Sequence, residues 1–258
     1  MTDPTGRQPA DPHEEAPAPD AHPGTPTDVT PQHPLAEIPR PYTREAMNAL
    51  EQEIKDGILR MGSMVAERHL AAVKALEDHD EDAALRVIKA DDSLNDELEA
   101  VSDLIATTIV KEQPVARDLR FLIALDHVAY ELERMGDHAS NVAKQARKLA
   151  PHPPLKAHDR LPELGRLVAQ QVRDILAAVV EVDEARAREV AAKDDDVDDL
   201  YHAIFAEALE AMRKDPANVD PGTRILFAAH YLERTGDRVT NIAEDLVFLN
   251  TGEMEDLN

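Results

Sequence analysis

The chain has 258 residues and carries 52 acids against 28 lysines and arginines, a formal net charge of −24. Such a balance disfavours binding to nucleic-acid phosphates or an anionic membrane surface, and makes cations and basic protein faces the natural partners. Apolar residues reach 43% with only 3% aromatics, which suits long packed helices, and the lack of cysteine excludes disulfides and thiolate metal sites.

Residues 1–42 hold 11 of the 18 prolines, with acids, His and Thr between them and few large apolar side chains. Such a segment cannot bury enough apolar surface to offset its ordering entropy, so a disordered, Pro-rich tail is expected. No stretch reads as a signal peptide, and no apolar run approaches the roughly 18 residues of a membrane span. A cytoplasmic location without membrane insertion follows as an expectation.

From Thr43 an apolar period of 3.6 takes over. It predicts helix one over about 44–78, with Leu50, Ile54, Ile58, Met61, Val65, Leu70 and Val73 near one stripe. Asp80 is the expected N-cap of helix two, to about Glu112, and Pro114 suits the first turn of helix three, to about Leu149. A linker follows over 151–162, "APHPPLKAHDRLP" breaking the period. Helix four is predicted over about 163–182, and Asp183 caps helix five, to about Lys214. Asp220 and Pro221 read as cap and first residue of helix six, to about Asn250. The halves, 43–150 and 163–258, match in pattern, so the predicted fold is all-α: two tandem antiparallel three-helix bundles, a duplicated repeat.

One motif occurs twice, as "LERMGDHASNVA" at 132–143 and "LERTGDRVTNIA" at 232–243. On a helix, positions four apart share a face with Cβ atoms roughly 5–6 Å apart. Glu133, Asp137 and Asn141 therefore form one stripe of oxygens, and Glu233, Asp237 and Asn241 another. The paired acids repel, with no cation expected to pair with them, and Gly136 and Gly236 each cost about 0.8–1.0 kcal/mol against alanine. A bound cation would offset the repulsion, and glycine would let another helix approach closely. Helix two adds Asp91 and Asn95; the corresponding positions of the second half are Asp194 and Asp198. Counted from the turns on a rise of about 1.5 Å per residue, these acids fall near the heights of Glu133 and Glu233, the second pair offset by about 4–5 Å. Two four-residue oxygen clusters are thus permitted.

Oxygen-only clusters suit hard ions such as Mg²⁺, Mn²⁺ or Fe³⁺ and tolerate Zn²⁺. An alternative is a carboxylate-bridged helical-bundle metalloenzyme of ferritin-like type, which needs a Glu-x-x-His motif. Here the third residue after Glu133 and Glu233 is glycine, and His138 has Arg238 as its counterpart, so oxygen activation is disfavoured. His69, His79 and His127 read as surface or satisfied helix histidines. No nucleophile elbow, phosphate-cradling glycine loop or Ser-His-Asp ordering occurs, and no enzymatic activity is expected.

The segments "QPVARDLRFLIALDHVAYELERMGDHASNVAK" and "DDDVDDLYHAIFAEALEAMRKDPANVDPGTRILFAAHYLERTGDRVTNIAEDLVFLNTGE" resemble the two halves of the PhoU family, accessory proteins of phosphate-specific transport. The resemblance runs from about Thr43 to Glu253 and centres on the two Glu-Arg-x-Gly-Asp segments. It implies metal clusters held by Glu/Asp-x-x-x-Asp motifs, which fall here on Asp91 with Asn95, Glu133 with Asp137, Asp194 with Asp198, and Glu233 with Asp237. At Asn95 an amide stands where the motif has an acid. The resemblance also implies repression of the phosphate-starvation response when phosphate is ample. Its implied partners are the ATPase of a phosphate ABC importer, a membrane sensor histidine kinase, and a second copy of the chain in a homodimer.

Overall fold

A computed structural model describes residues 43–90 and 92–257, and the expected tail at 1–42 lies outside them. Eight α-helices follow among the described residues: α1 Arg44–Glu77, α2 Glu81–Lys89, α3 Asp92–Glu112, α4 Arg117–Leu149, α5 Leu161–Glu181, α6 Glu184–Ala191, α7 Asp194–Lys214 and α8 Val219–Thr251. No strand occurs among the described residues. The fold is two tandem antiparallel three-helix bundles, with the middle helix of each broken in two.

The starts of three helices are set by side-chain caps. Thr43, Asp80 and Asp183 accept hydrogen bonds from the backbone N–H of Ala46, Ala83 and Arg186. Just before the two aspartates the chain reverses through His79 and Val182, both at φ 54°, a left-handed conformation that closes a helix end. The next N–H, of Asp80 or Asp183, then returns to Ala75 O or Ala178 O at 2.9 Å. Sequence periodicity treats residues 80–112 and 183–214 as single helices, whereas the structure interrupts them near Ala90 and Ala192. Neither break carries Gly or Pro, the residues that signal one.

Other boundaries also move. Pro114 precedes α4, which opens at Arg117 after Ala116 at φ 46°. Asp220 is no cap: α8 starts at Val219, and Pro221 is buried in its first turn, where a missing N–H costs nothing. The segment 151–162 is not a bare loop. It contains a short 3₁₀ turn, Lys156–Arg160, and buried His158 stands 2.9 Å from Leu76 O at the end of α1.

All described residues belong to one compact unit. α1 and α4 pack on α5 and α8, so both halves share one core in which Met61, Val65, Leu125 and Leu132 join Ile175, Val179, Ile242 and Leu246. The α1–α5 contact is reciprocal. Gly62 faces Leu176 and Gly165 faces Val73, and each pair is related to the other by the same shift of 103 residues. A methyl on Gly165 would lie 2.6 Å from Val73 Cγ2, so glycine is required for the close approach. α3 and α7 flank this centre, packed on α4 and α8, and carry the remaining acids.

Candidate metal centre

The second half builds its cluster between α7 and α8. Asp194 and Asp198 project from the first turns of α7, and Glu233 and Asp237 from mid-α8, all four part-buried. Gly236 makes the approach possible: a methyl there would lie 2.5 Å from Asp194 Oδ1, and at an ordinary contact distance of 3.6 Å from Gln171 Oε1 of α5. Buried Asp194 Oδ1 and both amide atoms of Gln171 lack a hydrogen bond of good geometry. Gln171 itself is 4% exposed.

The acids strain against one another. Burial pushes the Glu233 carboxyl up to about 7, with the charges of Asp237 and Asp198 adding to it and Arg234 opposing. Burial likewise pushes Asp194 up to about 6, reinforced by Asp198 and Asp237, while Gln171 beside it favours the charged form. Asp198 is raised as well, again first by burial. Carboxylates beside an amide oxygen are the donor types that hard cations take, oxygen only. Among the described residues, no group of three or more His, Cys, Asp or Glu side chains is placed so that it could hold a metal ion.

The first half keeps the same frame with different contents. Asp91 lies outside the described residues. Asn95 is exposed on α3, and Glu133 and Asp137 are part-buried on α4. Gly136 again allows close approach, here of Leu94 and of Arg68 from α1, whose Nη1 would lie 3.3 Å from an added methyl. Arg68 is 7% exposed and donates from Nη2 to Ser140 Oγ at 2.9 Å. Contrary to the reading of the motif as lacking a cation, Arg134 lies 3.5 Å from Glu133 and 3.7 Å from Asp137. Arg234 lies 3.4 Å from Asp237 in the same way. The i,i+3 spacing of Arg134 with Asp137 and of Arg234 with Asp237 was legible in the sequence.

Several neighbours of the clusters carry no motif. His202 hydrogen-bonds Asp198 O at 2.8 Å through Nδ1, and His230 Nδ1 lies 3.2 Å from Glu233 Oε2. Their helical spacings to the acids, four and three residues, were the available signal. Gln171 and Arg68, arriving from other helices, left none. His138 and Arg238 face the opposite half: His138 stacks near Tyr231 with ring centroids 6.2 Å apart, and Arg238 reaches Glu131 at 3.5 Å.

The PhoU domain matches this chain twice, over residues 58–146 and 161–246. The chain belongs to the PhoU family. The phosphate-specific transport system accessory protein PhoU homolog of Clostridium acetobutylicum is 39% identical over 220 residues, covering 84% of this chain and 99% of that protein. Its counterpart in Streptococcus pneumoniae is 32% identical, covering 80% and 95%. The crystal structure of PhoU from Pseudomonas aeruginosa superposes with a TM-score of 0.75 at 31% identity, covering 80% of this chain and 99% of that one. The phosphate transport system regulatory protein PhoU from Streptococcus pneumoniae gives the same TM-score at 30% identity. Each matched stretch contains one Glu-Arg-x-Gly-Asp segment, at 133–137 and at 233–237. No helix among the described residues is long and apolar enough to cross a membrane.

Proposed function

We propose that this chain is a cytoplasmic negative regulator of phosphate uptake and of the phosphate-starvation response. It acts as a metal-binding adaptor between the ATPase of a phosphate ABC importer and a sensor histidine kinase, and it works as a homodimer of chains built from repeats 43–150 and 163–258. Iron, zinc, magnesium or manganese is held by Asp194, Asp198, Glu233 and Asp237, and the first cluster (Asp91, Asn95, Glu133, Asp137) is the counterpart. The observation that carries the metal part is Asp194 Oδ1, buried against Gly236 without a hydrogen bond of good geometry, its carboxyl raised first by burial and then by the charges of Asp198 and Asp237. The relatives, accessory proteins of phosphate-specific transport by name, support the regulatory part. The ferritin-like metalloenzyme is set aside: Gly136 and Gly236 stand where its Glu-x-x-His motif needs histidine.

Deletion of the gene tests the regulatory reading. Starvation genes are expected to be expressed in phosphate-rich medium, with repression restored by the intact copy. Repression that persists in a strain lacking every copy overturns it. Affinity capture from phosphate-replete cells should recover the transporter ATPase and the kinase.

A further inference from the structure

We propose that the outer faces of α7 and α8 form a docking surface for a basic helical segment of a partner protein, held by an apolar anchor. The chain has four Phe and four Tyr, and half of them, Tyr201, Phe205, Phe227 and Tyr231, lie on these two helices. Tyr201 joins the pair. Its ring centroid stands 6.4 Å from Phe205 on its own helix and 6.3 Å from His230 across on α8. One turn further along α7 and one turn back along antiparallel α8 come Phe205 and Phe227, 42% and 45% exposed. Clustered rings facing water are the surface that association removes from solvent, and aromatic residues are the usual anchors of an interface.

The first repeat supplies the comparison. A shift of 103 residues matches buried Leu94, Val101 and Ile105 of α3 with buried Val197, Ile204 and Ala208 of α7. A shift of 100 aligns the Glu-Arg-x-Gly-Asp segments of α4 and α8. Under these shifts Phe205 and Leu226 stand where the first repeat has Ser102 and Asp126. There the Ser102 hydroxyl donates to the Asp126 carboxylate at 2.8 Å across the helix pair. One frame thus folds with a polar pair at this position, so packing does not require the apolar one. Phe227 likewise stands at the position of His127.

Charge sets the chemistry of the occupant. Toward the start of α7 the aromatic strip runs into Asp195, Asp198 and Asp199, and on α8 Glu233 lies 3.2 Å from His230. The neighbouring Arg234 is held 3.4 Å from Asp237. A complementary helix carries apolar residues over Phe205 and Phe227 and Arg or Lys one to two turns on, where a guanidinium can also lie on the Tyr201 ring. The carboxylates enter only as negative charge, so the surface does not depend on a metal among them.

Fluorescence polarisation of the full chain with a labelled amphipathic peptide tests this, its leucines spaced i, i+3, i+4 and i+7 and its arginines one turn beyond. Binding is expected, with backbone NMR shifts confined to α7 and α8. Phe205→Ser combined with Leu226→Asp, the pair the first repeat already carries, is expected to weaken it about tenfold or more. Replacing the peptide's arginines by glutamate, or its leucines by serine, should do the same, and circular dichroism checks that the variant folds. A folded double variant that binds like the wild type overturns the proposal, as do shifts on α3 and α4 instead. Binding that survives loss of the leucines is general attraction to an acidic chain and overturns it too. A wild type that binds no peptide also overturns it, and sedimentation then shows whether the double variant disrupts a dimer, in which case this face joins two copies of the chain.

Discussion

His69 of α1 and Thr235 of α8 stand 3.0 Å apart, Nε2 to Oγ1, in the solvent-free seam between the two repeats. The His69 Nδ1 atom lies 3.0 Å from Val65 O, which can only accept, so the proton sits on Nδ1; the single Thr235 hydroxyl proton is shared between two acceptors, His69 Nε2 and Tyr231 O, each 3.0 Å away. Thr235→Val keeps the shape and removes the donor. It is expected to cost roughly 1–3 kcal/mol, the usual penalty for a buried acceptor left unpaired. Urea unfolding measures it, and an unchanged midpoint would mean that the bond contributes nothing.

The same histidine sets an acid limit. Burial lowers its pKa from 6.5 to about 4. Between those values the unfolded chain binds a proton that the folded chain refuses, so stability falls as pH drops from 6.5 and levels off below about 4. The full swing is on the order of 3 kcal/mol. A melting-temperature profile of the wild type against His69→Gln should show a shallower acid slope in the variant, with the remainder carried by His138, which burial also lowers to about 4.

His127 of α4 works in the opposite sense. Its hydrogen bond to Asp245 of α8 raises its pKa above 6.5. The folded state then holds a proton that the unfolded state releases, so the stabilisation is complete below 6.5 and disappears as pH rises through the folded value. Asp245→Asn should flatten the alkaline side of the melting profile while leaving in place the acid side, to which His69, His138 and His158 contribute.

Gly236→Ala should damage the second cluster more than an ordinary helical Gly-to-Ala change, which by helix propensity alone would stabilise by about 0.8–1.0 kcal/mol. The added methyl meets Asp194 Oδ1 at 2.5 Å, so α7 or the carboxylate must shift. Lower thermal stability together with weakened Mn²⁺ binding is the expected pair of results. A stabilised variant with wild-type metal uptake would show that the close approach is dispensable.

Asp237→Asn should lose more bound metal under limiting supply than Asp137→Asn, because affinity for hard cations follows the number of charged ligands. Without metal, the same change should raise the melting temperature slightly above pH 7. It removes the charge that, after burial, contributes most to lifting Glu233. Metal analysis and melting curves check the two halves of this expectation separately.

Helix existence, the duplication and the paired acids were legible because each is written in spacing along one helix. Gly136 and Gly236 were legible as close-approach sites for the same reason, since glycine in a helix interior carries a cost that packing must offset. The break between α2 and α3 was not, because Ala90 ends the helix without a punctuating residue. Nor were Gln171 and Arg68: each lies more than 60 residues before the glycine it faces, on the buried side of an otherwise ordinary apolar stripe. His69 was read as a satisfied histidine, and its buried hydrogen bonds agree, but Thr235, 166 residues distant, could not be named as its partner.

The reciprocal notches of Gly62 and Gly165 relate the halves as two copies of one subunit would be related about a two-fold axis. In a dimer of identical subunits every substitution appears twice, and a residue that suits one pocket is imposed on the other. Joining the copies through residues 151–162 removes that constraint. A single polypeptide can hold an arginine at one pocket and a glutamine at its twin, while the shared interface still demands glycine on both sides.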